Sequence, residues 1–299
     1  LAVALAFHAR LFNIGGEGQA YVGGLGVGLV CLIFDQHVVG FLVTILAILG
    51  SVIFGAIWGI IPGYLQAKRG SHIVITTIMF NFIAAALMVY LLVNVIIEPG
   101  QMSPETRDFA SGVGLVQIHI LAKYLGLEMA MSPLNLSFIV ALTVSVGFWF
   151  LVWRTKFGYE VRSLGHSETA AIYAGIKVSS TIIIVMAISG GLAGLVAINE
   201  LLGVHNKLLL GFTAGYGFTG IAVALMGRNH PFGIFLASLL FGAIYQGGTE
   251  LDFEFSSITR EMVLLIQGLI ILFSGALAYM LNPLVERAYL KYYGNFSNA

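Results

Sequence analysis

Apolar residues along this chain fall in blocks too long for a water-soluble core, separated by short polar punctuation. Residues 20–34, 41–65, 73–97, 133–153, 178–198 and 262–281 approach or exceed the roughly 20 apolar residues a helix needs to cross a bilayer. Two shorter runs, 221–226 and 232–245, fall below that length and predict a hairpin of broken helices. Residues 1–12 read as the remainder of a further span. They start inside an apolar run with neither an initiator methionine nor a charged leader region, so a preceding segment is expected. The pattern predicts about eight spans plus this partial one, an all-α polytopic transmembrane helix bundle forming a single domain over residues 1–299.

The interruptions carry as much information as the spans. Residues 13–19 (NIGGEGQ) place three glycines where continuous helix is costly, and residues 201–220 form a second glycine-rich irregular zone. Gly23, Gly24, Gly26 and Gly28 suit close approach of neighbouring helices. Pro62 and Gly63 interrupt their span late, and residues 66–72 (QAKRGSH) make a short basic loop. In the longest connection, 98–131, Ile118, Leu121, Ala122 and Leu125 share one helical face and predict a short helix on the membrane surface. Residues 228–231 read as a tight turn, 249–261 as an acidic loop and 286–299 as a tail.

Residues 154–178 form a polar, charge-bearing stretch between two spans. Within them Ser167 is a good N-cap, Glu168 meets the positive end of a helix, and Gly175 supplies the stop, which predicts a helix of about two turns. So short a helix needs something packed on it. Its exposed face is expected to offer Ala170, Ala171 and Tyr173. A solvated loop with a helical turn and a docking knob for a cytoplasmic partner both fit the spacing.

Composition agrees with the membrane reading: the 299 residues are 59% hydrophobic and 9% charged, with zero formal net charge. Mean hydropathy is +0.96. No basic run points to nucleic acid, and the single cysteine, Cys31, excludes an internal disulfide. Lysine and arginine concentrate on one side (Lys68, Arg69, Arg154, Lys156, Arg162, Lys177, Arg228, Arg287, Lys291), against Arg107, Lys123, Lys207 and Arg260, which makes the side with 154–178 cytoplasmic. Acidic residues gather on the outer side.

No histidine, cysteine and carboxylate grouping has metal-ligand spacing, and no GxxxxGK[ST] loop is present, so an ATP-driven machine needs its nucleotide site on another chain. Ser189, in ISGGLAG, reads as a helix-packing residue rather than a nucleophile. Glu17 admits two readings: it complements the positive end of the helix that follows it, or with Gln19 it lines a polar route through the membrane. Asn81, Asn199 and Thr219 share that ambiguity between bonding a neighbouring helix and facing a substrate.

Four stretches, FNIGGEGQ (12–19), KRGSHIVITTIMFNFIA (68–84), GYEVRSLGHSETAAIYAGI (158–176) and AGYGFTGIAVALMGRNHPFG (214–233), together resemble permease subunits of binding-protein-dependent ABC importers, in the nucleoside and simple-sugar branch. The resemblance implies a type II importer-like bundle. In it the cytoplasmic loop is a coupling helix entering a groove on an ATPase subunit, here matched at Gly165, Glu168, Ala170, Ala171 and Gly175, with Tyr173 of the exposed face as a further coupling candidate. It also implies a second permease chain, identical or different, an extracytoplasmic binding protein, and ATP and Mg held by the ATPase rather than by this chain. A secondary transporter or channel is the alternative class, for which broken glycine-rich helices are also expected.

Overall fold

A computed structural model describes residues 1–124, 126, 128, 130–254, 261–270 and 272–273. The described residues are helical: α1 (Ala2–His8), α2 (Gly16–Phe34), α3 (Gly40–Arg69), α4 (Ile73–Asn94), α5 (Ile118–Tyr124), α6 (Ser137–Arg154), α7 (Lys156–His166), α8 (Glu168–Tyr173), α9 (Val178–Gly194), α10 (Tyr216–Met226) and α11 (Pro231–Glu254). A twelfth helix, α12, covers Glu261–Ile270. Among the described residues, six helical stretches are long and apolar enough to cross a membrane: Gly16–Phe34, Gly40–Arg69, Ile73–Asn94, Ser137–Arg154, Val178–His205 and Pro231–Leu251. Ile53, Ile57, Phe82, Tyr90, Val146 and Phe150 are exposed on them, as expected where the solvent is hydrocarbon.

The chain divides into two compact units, Leu1–Ile221 with Asn229–Pro231, and Ala222–Arg228 with Phe232–Ala299. At the centre of the first, α2, α3 and α9 pack through glycine. A Cβ placed on Gly55 or Gly59 of α3 would collide with the backbone carbonyl of Gly190 or Met186 on α9, and one on Gly194 with that of Ser51. Lipid offers no hydrophobic drive for helix association, so backbone-to-backbone contact of this kind holds the bundle. Beyond it, Leu25, Val27, Val43, Met88, Leu92, Phe109, Leu201, Leu208 and Phe212 form one buried cluster that carries the 98–117 loop. In the second unit the end of α10 approaches α11 through Gly227 and Gly233, and α11 meets α12 where Gly248 lies against Val263.

Several boundaries differ from the sequence reading. α3 runs unbroken through Pro62 and Gly63, both buried against its neighbours, so packing outweighs the backbone bond that proline removes. α2 restarts at Gly16, four residues before the apolar run, and Asn81 of α4 accepts the Gly18 N–H of its first turn. The 178–198 span continues into a π-helical stretch, Ile198–His205. α10 begins at Tyr216, yet remains short for a span. α11 is long enough to cross, and absorbs the first part of the expected acidic loop. The expected surface helix is present as α5, with Ala122 buried. Leu125, residues 255–260, most of the 271–281 part of the last expected span, and the 286–299 tail lie outside the described residues.

Candidate functional site

The first glycine-rich break is a polar junction in which each side chain has a partner. The Asn13 amide donates to Gln19 Oε1 (3.0 Å) and Ser189 Oγ (2.9 Å) and accepts the Gly15 N–H (2.9 Å). Ser189 Oγ in turn donates to the Ala2 carbonyl (2.7 Å), which makes it the packing residue the sequence predicts. From α4, Thr77 Oγ1 accepts the Ile14 N–H (3.3 Å), while Asn81 donates to the Ile14 carbonyl (2.9 Å) and accepts the Gly18 N–H (2.8 Å). Thr77 and Asn81 stand four residues apart, on one face of α4, so a single helix edge splints the break. Gln19 and Asn13 are buried, and both serve to satisfy backbone and amide groups that hydrocarbon would leave unpaired.

Glu17 joins the two glycine-rich zones. Its Oε1 accepts from Thr213 Oγ1 (2.6 Å) and the Gly215 N–H (3.1 Å), and its Oε2 from the Gly217 N–H (2.8 Å). Gly215 and Gly217 flank the start of α10, and Glu17 lies in the first turn of α2, so one carboxylate faces the positive ends of two helices. Gly217 must be glycine, because its Cβ would fall on the Glu17 backbone.

Beside this staple is a cavity of about 310 Å³, at the small end of ligand pockets, which run about 300–1,000 Å³. Its polar lining comes from Ser137, Asn199 and Tyr216; among the described residues no charged side chain lines it. Asn199 is fixed in the π-helical stretch: its Oδ1 accepts from Ser137 Oγ (2.8 Å) and Asn135 Nδ2 (3.1 Å), and its amide donates to Glu200 (3.0 Å). Of the five path candidates, Asn199 lines the cavity. Thr219 is one residue from the lining glycine Gly220, Glu17 follows the lining residue Gly16 and accepts from the lining residue Gly217, and Gln19 and Asn81 belong to the junction.

On the predicted cytoplasmic side, Ser167 caps α8 by accepting the Ala170 N–H (3.3 Å). Gly175 (φ +77°) ends it: its N–H donates to the Ile172 carbonyl (2.9 Å) and that of Ile176 to the Ala171 carbonyl (3.0 Å), the paired bonds of a Schellman turn. Glu168 and Ala170 are exposed and Tyr173 is 93% exposed, but Ala171 is fully buried, which corrects the expected outward face. The outward apolar pair is Ile172 with Tyr173. Ile172 escaped the sequence reading because six helical residues are too few for a reliable period. Gly165 is a contact glycine, its Cα facing the His8 carbonyl at the end of α1.

On the opposite side, Arg107 clasps Asp35 with both terminal nitrogens at 2.7 Å, and the Ala110 N–H donates to the same carboxylate (2.9 Å). The Arg107 guanidinium, then that amide, hold the Asp35 carboxyl below its ordinary value. Lys207 pairs with Glu105 (3.0 Å), and Thr106 exchanges backbone and side-chain bonds with Leu208. Two of the outer cations are thereby neutralised on a tied-down loop.

The family model described as branched-chain amino acid transport system / permease component matches residues 1–275. The chain belongs to this family of transport permeases, and is a multi-pass protein of the bacterial inner membrane. It is 35% identical to the guanosine ABC transporter permease protein NupP of Bacillus subtilis, over 96% of this chain and 80% of that one. It is 32% identical to the glucose ABC transporter permease protein TsgB13 of Haloferax volcanii, over 91% and 71%. With the nucleoside ABC transporter permease protein NupB of Lactococcus lactis it shares 30% identity over 96% and 78%. All three relatives are named as ABC transporter permease proteins. No solved structure matches the chain.

Proposed function

We propose that the chain forms the membrane path of an ATP-driven importer for nucleosides, with simple sugars as the second class. The observation that carries this reading is similarity over nearly the whole chain to permeases named for guanosine, nucleosides and glucose. The family description names branched-chain amino acids, but a zwitterion calls for opposed charges at its site, and the cavity lining offers hydroxyls and an amide instead. Glu17 is not among the cavity-lining residues, and its two oxygens are turned to Thr213, Gly215 and Gly217 instead.

In this reading α8 is the coupling element, presenting Ile172 and Tyr173 to a groove on a separate ATPase subunit that holds ATP and Mg. A second permease chain, identical or homologous, would complete the path, and an extracytoplasmic binding protein would deliver substrate and set selectivity. Movement of the coupling helices on ATP binding would switch access from one side to the other. The test is uptake of radiolabelled guanosine by membranes carrying the full complex, with glucose and leucine as competitors. Guanosine uptake that depends on ATP and resists excess leucine is expected; leucine uptake untouched by excess guanosine or glucose would reject the nucleoside assignment.

A further inference from the structure

A second cavity, about 370 Å³, opens between the turn after α1 and the loop joining α3 to α4, and the path does not use it. Arg10, Gln66, Ser71 and His72 line it, together with Ile73 and Val74 of the first turn of α4. Three features single it out. The guanidinium of Arg10 makes no hydrogen bond or ion pair with a described residue, although Arg10 adopts φ +60°, a left-handed conformation disfavoured for arginine. Gln66 Oε1 and Ser71 Oγ are buried without a hydrogen-bond partner among the described residues. No side chain caps α4, so the N–H groups of its first turn, at the positive end of a 22-residue helix, are left for a ligand.

We propose that this cavity binds a phosphoryl group, presented by the headgroup of an anionic phospholipid. An arginine guanidinium, the Ser71 hydroxyl and the helix-terminal N–H groups form a donor set suited to phosphate oxygens, while Gln66 Oε1 can only accept, from a protonated phosphate or a headgroup hydroxyl. The position selects the lipid source. α3 ends in Lys68 and Arg69 at the cavity's edge, which marks the cytoplasmic end of two spans, the level at which headgroups lie. No acidic residue lines the cavity to oppose an anion.

The experiment uses the full-length chain in nanodiscs and reads bound lipid by native mass spectrometry and by titration of phosphatidylglycerol against a phosphatidylcholine background. Arg10→Asn removes the charge while keeping a residue that tolerates the left-handed backbone. It is expected to weaken phosphatidylglycerol retention by about tenfold. Ser71→Ala should weaken it less, and Lys68→Gln, beside the cavity but outside its lining, by under about twofold. An equal loss in Lys68→Gln and Arg10→Asn would show general surface attraction and overturn the site. Unchanged retention in both Arg10→Asn and Ser71→Ala would overturn it too. Inorganic phosphate should not displace the lipid at millimolar concentration; complete displacement would assign the cavity to free phosphate and overturn the lipid source.

Discussion

Glu17 and Gly217 meet at 2.8 Å, carboxylate oxygen to backbone N–H, although 200 residues separate them in the chain. That bond, with those from Thr213 and Gly215, ties the first broken helix to the second and turns two weak points of the bundle into one joint. A carboxylate in this position is costly in hydrocarbon unless its lone pairs are used, and here three donors use them.

Glu17→Gln should therefore cost more than loss of a simple cap. The substituted amide must turn an N–H₂ toward a donor, so stability should fall by about 1.5–3 kcal/mol, the range for hydrogen bonds to charged groups. Thr213→Val, which removes one donor, should cost about 1 kcal/mol. Thermal unfolding of the purified chain checks both, and equal melting temperatures for wild type and Glu17→Gln would contradict the joint.

The spans were legible because hydrocarbon imposes one rule on backbone groups, and five of the six long apolar helices among the described residues fall on blocks read as spans, while the sixth, α11, extends a run read as too short to cross. The glycine zones showed where helices break but not what mends them. Asn81 and Gln19 read equally well as path residues, since an asparagine looks the same in sequence whether it faces a cavity or an Ile14 carbonyl. The Glu17 staple needed tertiary pairing across the chain, and its local signal was only Thr213, Gly215 and Gly217 on alternate positions of an irregular zone. Asn135 and Ser137, which orient Asn199, stood at the start of a span and carried no motif.

The α8 geometry separates docking from folding. Ile172→Arg and Tyr173→Ala alter the exposed pair and should lower ATP-dependent uptake by at least about tenfold with little change in melting temperature, as for anchors at the centre of an interface. Ala171→Arg forces a long cation into a fully buried position and should reduce folded yield instead. Normal uptake by the Ile172 and Tyr173 variants would remove α8 as the coupling element.

External acid should loosen the outer loop. The folded Asp35 carboxyl lies below its ordinary value near 3.9, because of Arg107 first. Its contribution is thus complete above about pH 4 and is lost as pH falls through the folded pKa. Melting temperature should drop across that window, and the drop should be shallower in Asp35→Asn, which is destabilised by about 1.5 kcal/mol at neutral pH through loss of charge-assisted bonds, since the partly exposed Arg107 keeps its bonds to the Leu32 and Asp108 carbonyls. Parallel acid profiles for the two proteins would show that this pair does not govern the transition.

Gly220 offers the sharpest test of the path. It lines the cavity shared with Asn199 and Tyr216, and a Cβ built on it meets nothing within 4 Å, unlike those of Gly217 or Gly55. It also sits inside α10, where replacing glycine improves helix propensity by up to about 1 kcal/mol. Gly220→Phe should therefore fold at least as well as the native chain while placing a ring in a space of about 310 Å³. Uptake should fall by at least about tenfold as the route is filled, while ATP hydrolysis by the assembled complex continues, because the ring is remote in sequence from the coupling segment. Gly220→Ala, too small to block, should restore uptake. Full transport by Gly220→Phe with a normal melting temperature would mean that substrate takes another way through the membrane.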